Sequence, residues 1–84
     1  MPVISRFYGI VIKMYYKQRE HNPPHVHAIY GEYMGMFSLL TAEMFEGDIP
    51  MREQTLVKKF LEQNREKLKQ MWETQAFEML PAIE

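Results

Sequence analysis

Residues 25–38 read HVHAIYGEYMGMFS, two runs of β-branched, aromatic and small residues on either side of Gly31-Glu32. Glycine at the first central position suits a two-residue hairpin turn, and such a turn fixes the pairing on both sides of it. Tyr30 then opposes Tyr33, Ala28 opposes Gly35 and Val26 opposes Phe37. These residues share the more apolar face, the one expected to lie under helices. On the other face Ile29 opposes Met34, His27 opposes Met36 and His25 opposes Ser38. Side chains alternate along a strand, so His25 and His27 are predicted to project together, away from the core.

Upstream, residues 7–16 (FYGIVIKMYY) are β-branched and aromatic without proline and read as one long strand. Tyr8, Ile10, Ile12, Met14 and Tyr16 fall on one face; Phe7, Val11, Lys13 and Tyr15 fall on the other. Residues 17–24 (KQREHNPP) are polar, end in two prolines and read as a loop. Downstream, a turn near Thr41-Ala42 leads to a short fourth strand over 43–46, which Gly47 ends. Pro50 suits a first helical position. Leu56, Val57, Phe60 and Leu61 form an apolar stripe at helical spacing. Asn64 can cap a second helix with Glu66 in its first turn and Leu68, Met71 and Trp72 facing inward. Pro81 closes that pattern, and residues 77–84 are expected to form a loose tail. The chain reads as a single α+β domain over residues 1–84. Its expected order is ββββαα: a four-stranded antiparallel sheet with two C-terminal helices packed on one face.

Composition removes several function classes. Hydrophobic residues make up 46% and charged residues 25% of the chain, an ordinary globular balance. No apolar run approaches the roughly 18 residues of a membrane span. The start, MPVISRFYG, lacks the basic-then-apolar layout of a signal peptide, so a cytoplasmic location is expected. The absence of cysteine excludes disulfides and thiolate metal sites. Residues 1–35 carry Arg6, Lys13, Lys17 and Arg19 against Glu20 and Glu32, while the rest of the chain is net acidic. That gradient is too weak for a bulk nucleic-acid field but leaves room for a local anion site.

Every histidine of the chain lies in residues 21–27, HNPPHVH. Three chemistries fit. Imidazole N–H groups can hold the loop by bonding a backbone carbonyl that Pro23 and Pro24 leave unpaired. His25 and His27, two apart on a strand, can chelate zinc, nickel or copper with His21 across the loop and Glu20 as the nearest carboxylate. His25 and His27 can also divide base and acid roles in phosphodiester cleavage, with Arg6, Lys13, Lys17 or Arg19 stabilising the developing charge. RNA is the substrate such a metal-independent ribonuclease would take. Tyr8, Tyr15, Tyr16, Tyr30 and Tyr33 could stack bases, though their spacing fits cross-strand packing better. Met34 and Met36 fall on the histidine face. Apolar residues there predict that this face is covered, by a second copy or by a different protein.

The stretches VISRFYGIVIKMYY and EHNPPHVHAIYGEY resemble a family of small bacterial proteins described as a domain of unknown function. Its motif of the form His-x-Pro-Pro-His-x-His falls on His21, Pro23, Pro24, His25 and His27, with Ser5, Arg6 and Phe7 upstream. The resemblance extends over nearly the whole chain, and it implies a neighbouring gene for a second small protein and a toxin–antitoxin-like pairing. This chain departs from the family pattern in two places. Met34, Met36 and Ser38 stand where acidic or polar residues are common, and Ala42 stands where glycine is common after Thr41. The leading expectation is therefore an interaction module that uses the histidine-bearing sheet face. A ribonuclease and a transition-metal-binding regulator are the alternatives.

Overall fold

The structure, a computed structural model, describes residues 3–14, 24–74 and 76–82. Five strands are followed by two helices: β1 (Val3–Phe7), β2 (Ile10–Lys13), β3 (His25–Tyr30), β4 (Tyr33–Ser38), β5 (Met44–Gly47), α1 (Met51–Gln63) and α2 (Arg65–Thr74). The strands form one antiparallel sheet in the order of the sequence, β1-β2-β3-β4-β5.

The long first strand expected over residues 7–16 is instead a hairpin, which is why the sheet has five strands and not four. Tyr8 and Gly9 both take positive φ, 49° and 79°, and Phe7 pairs with Ile10 across them. Two positive φ values in succession define the turn whose twist matches that of the flanking strands. Tyrosine at its first position concealed it, because that site is usually Asn or Asp. Residues 15 and 16 lie outside the described part of the chain.

The β3–β4 pairing follows the predicted register at all six positions, from His25 opposite Ser38 to Tyr30 opposite Tyr33. Gly31 supplies the positive φ, 59°, at the turn. One sheet face is closed by α1. Ile10, Ile12, Val26, Ala28 and Phe37 from the strands, with Val57, Phe60 and Leu61 from α1, form one buried cluster. The rings of Phe7 and Phe60 lie 5.1 Å apart within it.

Pro50 precedes the first helical residue, and its carbonyl accepts the Gln54 N–H at 2.9 Å. Asn64 joins the helices. Its backbone N–H and its side-chain Nδ2 both donate to the Phe60 carbonyl, at 3.1 and 3.0 Å, and its own carbonyl accepts the Leu68 N–H. Residues 76–82 have no regular element. Within them Phe77 and Leu80 pack against the core, the Leu80 N–H donates to the Ile4 carbonyl at 2.6 Å, and Glu78 pairs with Lys67.

Candidate functional site: the histidine-bearing sheet face

Pairing places the outward residues of the sheet in rows. One row runs Lys13, His27, Met36, Glu46 across β2 to β5; a second runs Arg6, Val11, Ile29, Met34 across β1 to β4; a third holds His25 and Ser38. Arg6, Lys13, Met34 and Met36, four residues singled out from sequence, thus share a face with both strand histidines. Lys17, Arg19, Glu20 and His21 lie outside the described residues. Among the described residues no group of three or more His, Asp or Glu could hold a metal ion.

The two imidazoles differ in setting. Their ring centroids are 5.2 Å apart, but His25 is only 8% exposed whereas His27 is half-buried. His25 is enclosed by the Trp72 ring of α2 at 5.3 Å and the edge-on Phe45 ring at 5.9 Å. His25 therefore does not project into the open, as the strand pattern alone had predicted. Trp72 of α2 reaches this imidazole at the start of β3, while Leu68 and Met71 of the same helix join the core. Burial, and then the neighbouring His25, hold the His27 pKa below its ordinary 6.5, against an opposing pull from Glu46.

The Pro24 carbonyl accepts the Leu39 N–H at 2.8 Å, so the β3–β4 ladder runs one residue beyond the strands and engages the Pro-Pro step directly. Ser38 Oγ then accepts the N–H groups of Leu40 and Thr41 at 3.1 and 3.4 Å. Its carbonyl takes the N–H of Ala42, whose φ of 62° bends the chain toward β5. That conformation explains why glycine suits the position.

Phe45 was missed as a site residue. The β4–β5 register shifts between Met36 and Phe37, so Phe45 is an extra residue in the edge strand, and its ring lies beside His25. A bulge of this kind leaves no period-2 signal in the sequence. The face as a whole is an apolar strip with charge at its margins. Met34 is 51% and Phe45 48% exposed, and Val11, Ile29 and Met36 are half-buried. Arg6 and Lys13 flank the strip on the β1–β2 side and Glu46 on the β5 side.

A family model described as "Domain of unknown function (DUF4160)" matches residues 9–73. No curated protein and no solved structure gives a significant match. Among the described residues no helix is long and apolar enough to cross a membrane.

Proposed function

The chain belongs to the family described as Domain of unknown function (DUF4160), and from the geometry of its sheet we propose that it is a protein-interaction module docking through the histidine-bearing face. One observation carries this reading. A half-solvated antiparallel sheet ordinarily alternates apolar-in and polar-out, yet here the outward positions include Val11, Ile29, Met34, Met36 and Phe45. Water gains nothing from such a strip, and a protein that covers it does. The setting we favour is a bacterial, cytoplasmic two-protein system of toxin–antitoxin type, as the resemblance of the HNPPHVH segment implies.

Light scattering on the chain alone, and on the chain with the product of the neighbouring gene, tests the reading. Association in at least one sample, lost in a Met34→Glu variant, supports it. No association in either sample, or association that Met34→Glu leaves intact, overturns it.

One observation favours a second reading, a metal-independent ribonuclease. Lys13 directly opposes His27, next to the second imidazole of His25 and with Arg6 on the same face. A lowered pKa keeps His27 neutral near pH 7, as a general base requires. The enclosure of His25 weighs against its acting as the acid on a bulky phosphodiester. RNA cleavage unchanged by His27→Ala would remove this reading.

A further inference from the structure

Resting on the docking reading above, we infer that the occupant of the histidine-bearing face is a second copy of this chain, related by a two-fold axis running along the strands midway between β3 and β4. The charge pattern selects both the occupant and the axis. In the row Lys13, His27, Met36, Glu46, the basic end lies on β2 and the acidic end on β5, with that midline between them. At about 4.8 Å per strand the two charged ends are roughly 14 Å apart. Among the described residues the ion pairs are Arg52–Glu53, Lys58–Glu43 and Lys67–Glu78, and none involves Arg6, Lys13 or Glu46.

A two-fold interface brings each residue against its mirror position in the row. An axis along the strands exchanges β2 with β5 and β3 with β4. Lys13 then lies over Glu46 of the other copy and His27 over Met36, twice each. In the next row Ile29 lies over Met34, giving an apolar centre, and Arg6 overhangs the margin where Glu46 and Asp48 of the other copy lie. An axis across the strands sets Lys13 over Lys13 and Glu46 over Glu46 instead, and repulsion disfavours it. Face-to-face sheets pack about 10 Å apart, a gap that Met, Ile and imidazole side chains fill from both sides and that long lysine and glutamate side chains bridge at the rim. The face is thus complementary to itself, with both the apolar stripe and the opposite charges supplied by one sequence.

Charge exchange tests this with folding monitored by circular dichroism, and all the substituted positions are on the surface or half-buried. Wild type should scatter as a dimer, twice the chain mass. Lys13→Glu alone and Glu46→Lys alone each replace two attractive contacts by two repulsive ones, and each should weaken self-association roughly tenfold. An equimolar mixture of these two variants restores complementarity at both contacts and should give a heterodimer. The K13E/E46K double variant should again form a homodimer. Monomeric wild type at high micromolar concentration overturns the second-copy inference. The docking reading survives that result if the neighbouring gene product binds and Met34→Glu abolishes the binding. A dimer indifferent to Met34→Glu and to both charge exchanges overturns inference and reading together.

Discussion

The indole of Trp72 lies 5.3 Å from the imidazole of His25, which joins the second helix to the first residue of the central hairpin strand. This contact ties the end of α2 to the segment that carries the histidine motif, so the two cannot separate without exposing both rings. Trp72→Ala should cost about 3 kcal/mol, the lower end of the range for large-to-small aromatic changes because Trp72 is only half-buried. Trp72→Phe should retain most of that. Urea unfolding followed by far-UV circular dichroism measures both, and wild-type stability in Trp72→Ala would show that the contact is incidental.

Stability should fall as the solution is acidified through the histidine range. The folded-state pKa of His27 lies below 6.5 because of burial first and His25 second. The unfolded chain therefore binds the proton more readily than the folded one, and the stabilisation present above pH 6.5 is lost as pH falls toward the folded value. Glu46 pulls the other way, so Glu46→Gln should lower the His27 pKa further and start the loss from a larger shift. Imidazole NMR titrations of wild type and Glu46→Gln check the sign. An unchanged or raised His27 pKa in the variant contradicts it.

Gly47 tolerates no side chain. Its φ is 123°, and a Cβ there would lie 2.3 Å from the Met34 carbonyl oxygen and 2.4 Å from the Gly35 Cα. Both obstacles are backbone, so β5 would have to move away from β4. Gly47→Ala should cost about 3 kcal/mol or more and loosen the β5 margin of the proposed interface with it. Thermal unfolding gives the answer, and a shift of less than one or two degrees would mean that the edge strand yields easily.

Tyr8 offers the reverse opportunity. It holds a φ of 49° while 62% exposed, so its side chain gains little from burial and its backbone is strained. Asn at the first position of a Tyr8-Gly9 type of turn accepts that conformation. Tyr8→Asn should stabilise the chain by about 0.5–1 kcal/mol. A loss of stability in the same urea titration would show that the Tyr8 ring contributes more than its exposure suggests.

The central hairpin was legible because Gly31 fixes the turn, and a two-residue turn leaves no freedom in the pairing. The three opposed pairs of the site followed from it, including His27 against Met36. The helices were legible from periodicity, with Val57, Phe60, Leu61, Leu68 and Met71 buried as their spacing requires. The first hairpin was not, because FYGIVI is apolar throughout and one glycine in such a run reads equally as strand or turn. The burial of His25 was also hidden. It depends on Trp72, nearly fifty residues away in sequence, and on the extra residue at Phe45, and local pattern encodes neither. The charge arrangement of Lys13 and Glu46 became visible only once the strands were in order.

That order has a kinetic consequence. Every strand pairs with its neighbour in the chain, and three of the four connections span only residues 8–9, 31–32 and 39–43. Closing short loops costs little entropy, and sheets dominated by sequence-local pairing fold faster than those requiring distant strands to meet. The exception is the junction of β2 with β3, whose connection spans residues 14–24 and contains the Pro-Pro step. The longest connection that the sheet must close therefore ends at His25, the first residue of β3. Substitutions in that connection should alter the rate at which the first hairpin joins the second, whatever they do at the finished surface.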